Sequence, residues 1–141
     1  MITETDISWI VENWDKISKE FKTSISQDKS NYYGKQQKPK GLDDDENEAI
    51  FLLSRQKPSI EQDYSFDEER IGITNKGKII WGFDSGCSCP TPWEDNYPNC
   101  YNIEKTWKEF IVKDLKDFDG GYMEEMEKRL IEIKFKINLE A

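Results

Sequence analysis

Apolar residues open the chain at helical spacing. Ile7, Ile10, Val11, Trp14, Ile17 and Phe21 fall on one face of a helix over 6–21, with Thr5 or Asp6 as its N-cap. Trp9 falls off that face. From Lys22 to Gly41 the periodicity stops in favour of Ser, Gln, Lys, Asn and Tyr, and 22–48 is expected to be a polar, mobile segment. The run AIFLLS at 49–54 is short, apolar and bounded by breakers, which predicts a buried strand, and Pro58 closes it. An acidic connection follows at 59–69. RIGIT at 70–74 and KIIWGF at 78–83 then flank Asn75-Lys76-Gly77, a β-hairpin with a bulged turn.

Tyr101 and Ile103 suggest a short extended piece. Beyond it, Thr106-x-x-Glu109 has the form of a capping box before Trp107, Phe110, Ile111, Leu115 and Phe118, the apolar face of a helix ending near Gly120-Gly121. The tail carries two patterns at once. Met123, Met126, Leu130, Ile133 and Ile137 repeat at heptad spacing, whereas Ile131, Ile133, Phe135, Ile137 and Leu139 alternate as in a strand. The i,i+4 pairs Glu124–Lys128, Glu125–Arg129 and Glu132–Lys136 favour helix from about 121 onward, with a strand after 131 as the alternative. The expected fold class is α+β, a single domain over 1–141. A small antiparallel sheet built on 49–54 and the hairpin 70–83 packs against an N-terminal helix and two C-terminal helices.

Composition changes this picture in one respect. Charged and hydrophobic residues are each 35% of the chain, and the mean hydropathy of -0.87 borders on that of disordered chains. Five Trp, six Tyr and seven Phe argue instead for a folded domain, because aromatics bury large areas and are scarce in disorder.

The net charge of -9 narrows the partners. An acidic domain repels phosphate backbones and anionic membranes, so basic protein or nucleoprotein surfaces are its favoured targets and direct nucleic-acid binding is not expected. The chain has no His, which removes Ser-His, Cys-His and His-metal chemistry together. No basic n-region precedes the first apolar residues, no apolar run reaches membrane-spanning length, and the Cys count is odd at three. These point to a cytoplasmic protein with reduced thiols.

Two stretches could carry chemistry. The loop GCSCPTPWED at 86–95 holds Cys87 and Cys89, and Cys100 follows. A disulfide across one intervening residue is strained, which leaves three readings. In the first the thiols are small packed groups in a Gly/Pro turn, with Trp93 and Tyr97 covering the hairpin. In the second, Cys87, Cys89 and Cys100 hold zinc, with Asp84 or Asp95 as fourth ligand. In the third a thiol is reactive, but Asp84, Glu94 and Asp95 would raise its pKa and no nearby cation lowers it. The packed turn ranks first, zinc second and thiol chemistry last.

The second stretch, 41–69, holds ten Asp or Glu against Arg55 and Lys57. Asp43, Asp44, Asp45, Glu46, Asp63, Asp67, Glu68 and Glu69, with Trp93, are the candidate partner-binding residues. The plain reading of such a run is a solvated loop, and the functional one is an acidic face steered onto a basic groove. Asp43, Asp44, Asp45 and Asp63 are a weak Mg²⁺ signal, because most lie in one apparent loop without a phosphate-binding Gly loop. The heptad stripe of the tail reads as core first, and as a homodimer seam second.

The segment IIWGFDSGCSCPTPWED (79–95) resembles short uncharacterised proteins of bacteria and their phages that share a GCSCPxPW-type loop after a hairpin. The resemblance spans less than a fifth of the chain. It implies no catalytic residues and favours a phage or mobile-element accessory protein. The resulting expectation is a non-enzymatic acidic protein that binds a macromolecule, as an inhibitor or nucleic-acid mimic acting on a basic nucleoprotein would. The alternative is a Cys-ligated zinc module whose loop is structural or catalytic.

Overall fold

The computed structural model describes residues 1–25, 30–31, 34–35, 41–56, 65–87, 101–118 and 120–140. Helices α1 (Glu4–Glu12), α2 (Trp107–Lys113) and α3 (Tyr122–Glu140) accompany strands β1 (Lys22–Ser24), β2 (Ser30–Asn31), β3 (Gly34–Lys35), β4 (Glu48–Gln56), β5 (Ser65–Thr74), β6 (Ile79–Cys87) and β7 (Asn102–Glu104). Five strands form one antiparallel sheet in the order β1-β4-β5-β6-β7, and β2 pairs with β3 in a separate ribbon. The α+β class and the hairpin, with three helices packed on the sheet, are as the sequence indicates.

Strand alternation divides the core in two. Ile71 and Ile73 of β5 and Ile79 and Trp81 of β6 face the helices, where they meet Ile10 of α1, Phe110 of α2 and Met126, Leu130 and Ile133 of α3. The opposite face carries a smaller cluster of Ile25, Ala49, Phe51, Ile80 and Tyr101, flanked by Leu42 and Ile103. A bulge between Phe51 and Leu53 lets Leu52 and Leu53 both join the helix-side core, which simple alternation forbids.

The N-terminal helix is shorter than its periodicity suggests. Thr3, rather than Thr5 or Asp6, is the N-cap, and it closes a capping box with Asp6. The helix stops at Glu12, and the Asn13 side chain joins its own backbone N–H as a second donor to the Trp9 carbonyl, at 2.8 and 3.0 Å. Two 3₁₀ turns, Trp14–Lys16 and Lys19–Phe21, carry the chain onward. With the extended backbone at Ile17 and Ser18 between them, they bring Trp14, Ile17 and Phe21 into the core. Trp9 is half-buried, with the Lys134 ammonium 5.0 Å from its ring.

The expectation of a polar loop over 22–48 needs correction at both ends. Lys22–Ser24 is an edge strand on β4, Ile25 is fully buried, and 41–47 is tied down as described below. Helix α2 likewise ends at Lys113 rather than near Gly120, and a 3₁₀ turn at Leu115–Asp117 brings Leu115 and Phe118 to the core. Thr106 caps α2 as expected, but Glu109 returns its carboxylate to the Lys105 N–H, one residue before the cap.

The tail is helix throughout. Met126, Leu130 and Ile133 point inward while Ile131, Phe135 and Leu139 point to solvent, so the alternation is two helical faces read together. Of the three expected i,i+4 pairs, Glu124–Lys128 forms at 3.8 Å. Glu125 turns to Arg55, Arg129 to Glu132, and Lys136 to Glu20.

Candidate functional site

The connection from Gly41 to Asn47 lies across the β5–β6 turn, and one carboxylate fastens it there. Glu46 is fully buried. Its Oε1 accepts the Asp43 N–H at 3.0 Å and the Lys78 ammonium at 2.6 Å, and its Oε2 accepts the Thr74 hydroxyl at 2.7 Å. The same lysine donates to the Gly41 carbonyl at 3.0 Å. Asn75 donates from its side chain to the Asp45 carbonyl and from its backbone to that of Glu48. Gly77 sits at φ 91° and its N–H donates to the Thr74 carbonyl, giving the bulged turn that brings Thr74, Asn75, Lys76 and Lys78 to one side.

Asp43, Asp44 and Asp45 stand exposed on top of this clasp. Lys76 lies 2.6 Å from Asp45 and 3.5 Å from Asp43, and Lys78 lies 3.8 Å from Asp43. Two lysines therefore offset part of the charge of four carboxylates, and the loop remains acidic. Burial alone would raise the Glu46 carboxyl. The Asp43 N–H, the Lys78 ammonium and the Thr74 hydroxyl outweigh it and hold the group below its ordinary range. Conversely, the hydrogen bond to Asp45 pushes the Lys76 ammonium above its ordinary range.

The acidic residues named from sequence thus divide. Asp43, Asp44 and Asp45 form one exposed cluster. Glu46 and Glu69 are turned inward, so neither belongs to the surface proposed from the charge run. Glu69 is fully buried and pairs with Arg55, which also reaches Glu125 at 3.4 Å. Glu68 is half-buried on β5, opposite Gln56 on one side and Asp84 on the other. Asp67 lies in β5 opposite Ser85, and its side chain lies outside the described residues, as do Asp63 and Trp93. Cys87 ends β6 opposite Ser65. Its side chain, with Cys89 and Cys100, likewise falls outside. Among the described residues no group of three Cys, Asp or Glu side chains could hold a metal ion, and no helix is long and apolar enough to cross a membrane.

The charge count missed Lys76, Lys78 and Thr74. Strand parity could have placed Glu69, which shares the inward side of β5 with Ile71 and Ile73.

Apart from this loop, a concavity of about 550 Å³ opens between β4 and α3. Arg70, Lys128 and Arg129 line it together with Glu20, Glu125 and Glu132. Its arginines are already engaged. Arg70 stacks on Phe51 and donates to Ser54 and to the Tyr101 hydroxyl, while Arg129 stacks on Phe21 and pairs with Glu132. The cleft therefore offers no concentrated charge to an anion. Comparison with family models, with characterised proteins and with solved structures gives no match to this chain.

Proposed function

We propose that this chain is a non-catalytic binding protein that docks its acidic loop, Asp43–Asp45, on a basic protein or nucleoprotein surface. The observation that carries the reading is the Glu46 clasp. A buried carboxylate with bonds to Asp43, Thr74 and Lys78 holds three exposed aspartates in one arrangement before any partner arrives. Preorganisation of this kind lowers the ordering cost of association, and a fixed acidic cluster on a chain of net charge -9 speeds encounter with a basic surface. Lys76 and Lys78 confine the acidic face to the outer edge of the loop.

The test is a titration against purified basic nucleic-acid-binding proteins, with competing duplex DNA, in about 50 and about 200 mM salt. Expected is binding that falls at least tenfold between the two salts, is competed by DNA, and is lost in the Asp43→Asn, Asp44→Asn, Asp45→Asn triple variant. Binding that ignores both salt and the triple variant would remove the loop from the function.

A further inference from the structure

β1 covers only the first part of the outer edge of β4. It pairs with Glu48, Ala49 and Ile50 and goes no further. The Phe21 N–H, next in line for the ladder, is taken by the Ser18 carbonyl at 3.1 Å in the 3₁₀ turn. β4 itself runs on to Gln56, paired on its other side with β5. Among the described residues no strand pairs with the outer edge of β4 beyond Ile50.

Two hydrogen bonds fix which main-chain groups line that edge. The Asn47 carbonyl accepts the Ile25 N–H on the β1 side, and the Glu48 carbonyl accepts the Asn75 N–H on the β5 side. Alternation from there turns the N–H and C=O of Phe51 outward. Beyond the bulge, Leu53 and Arg55 face Ile71 and Glu69 of β5, which leaves those of Ser54 and Gln56 outward. Such a row of main-chain donors and acceptors is a template for one more strand.

The concavity of about 550 Å³ lies on this same edge. Phe51, Ser54 and Arg70 line it from one face of the sheet, and Glu125, Arg129 and Glu132 of α3 line it from the other. A cavity that touches both faces wraps the edge of the strand. Its charges balance, because Glu20 and Lys128 complete a set of three acids and three bases. The balance disfavours a strongly acidic or basic occupant, and the main-chain groups require an extended one.

We propose that the outer edge of β4, from Phe51 to Gln56, receives an extended segment of a partner protein, close to neutral in charge, as a sixth strand of the sheet. The main chain of the segment pairs with Phe51, Ser54 and Gln56. Its side chains fall alternately toward α3 and toward the Arg70–Phe51 stack. A few main-chain bonds in a small interface give a dissociation constant on the order of 10–100 µM. This inference does not rest on the acidic-loop reading.

The test is selection of random ten-residue peptides on the immobilised protein, followed by titration of the enriched peptides, made synthetically, into isotope-labelled protein. Enriched peptides should be near neutral and should shift the amide resonances of 51–56 and 21–23 while leaving 43–47 unmoved. Ser54→Pro removes an outward N–H and no bond of the β5 ladder. It should weaken binding about tenfold or more with unchanged far-UV circular dichroism, whereas Ser54→Ala, which keeps the N–H, should bind like the wild type. N-methylation of alternate peptide amides removes the same bonds from the other side and leaves the protein intact. In one of its two phases it should cost about tenfold or more, and this measurement decides if Ser54→Pro fails to fold. No enrichment, a footprint elsewhere, or binding indifferent to N-methylation in both phases overturns the proposal. Basic peptides that footprint on Asp43–Asp45 instead would overturn it while upholding the acidic-loop reading.

Discussion

The carboxylate of Glu46 lies 2.6 Å from the ammonium of Lys78, although the two are 32 residues apart. Glu46 is fully buried, and Lys78 is 23% exposed. Glu46→Ala would take from the Thr74 hydroxyl and the Asp43 N–H the acceptor they share, and leave the Lys78 ammonium with the Gly41 carbonyl but no close carboxylate. A loss of about 2–4 kcal/mol is expected in chemical denaturation, with faster hydrogen exchange over 42–47. The pH dependence has a definite sign. Because the folded state holds this carboxyl below its ordinary value, its stabilisation is full above the unfolded value of about 4.3 and is lost as pH falls through the folded one. Glu46→Gln should flatten that acid limb, and an unchanged limb would place the titration elsewhere.

Arg55 and Glu69 make the second buried ion pair. Glu69 has no exposure, and its Oε2 has no hydrogen-bond partner among the described residues. Removing the arginine strands a buried charge, so Arg55→Ala should cost about 3–5 kcal/mol. Replacing both partners by Met removes the charge together with its need for a partner. The double variant should therefore recover most of that loss, measured as a thermodynamic cycle in guanidinium. A double variant as unstable as Arg55→Ala would mean that the pair does more than satisfy itself.

Gly72 in the middle of β5 is there because Phe51 needs its space. A Cβ at this position would stand 2.7 Å from Phe51 Cδ1 and 2.9 Å from Cε1. Tyr101 packs on the ring at 5.6 Å and Arg70 lies 5.3 Å from its centre, so the ring must shift against these neighbours to admit a Cβ. Gly72→Ala should destabilise by about 1–3 kcal/mol, although Ala ordinarily suits a strand no worse than Gly. Phe51→Leu in the same chain should return part of the loss, which a thermal-denaturation series would show.

The elements that were legible in the sequence are those whose pattern has one physical reading. The hairpin around Asn75-Lys76-Gly77 is one, because three residues ending in Gly between two β-rich runs admit few alternatives. The α2 cap at Thr106 is another. The failures share a cause in degeneracy. Ile10, Trp14, Ile17 and Phe21 read as one α-helical face, whereas α1 ends at Glu12 and two short 3₁₀ turns joined by extended backbone at Ile17 and Ser18 bring the later three to the core. Charge counting over 41–69 treated the acids alike, whereas Glu46 and Glu69 are interior groups whose partners, Lys78 and Arg55, are 32 and 14 residues away. Such pairings depend on strand register, which composition does not carry.

Glu104 on β7 supplies a test of opposite sign. Its carboxyl shares a hydrogen bond with the Asp114 side chain, which raises it above the ordinary range; burial adds to the rise, and Lys113, 3.8 Å away, opposes it. A raised folded value means that the folded state keeps a proton the unfolded chain has lost. The contribution to stability is therefore present below about pH 4.3 and disappears as pH rises through the folded value. Once it ionises, Glu104 sits beside the Asp114 side chain that favours its protonated form, and its charge works against the fold. Glu104→Gln should accordingly be more stable than the wild type at pH 7, by less than about 1 kcal/mol given solvent screening near the surface. The gain should vanish below about pH 4, where the wild-type carboxyl is itself neutral. Paired denaturant titrations at the two pH values decide it, and a variant weaker than the wild type at pH 7 would show that Lys113 outweighs Asp114.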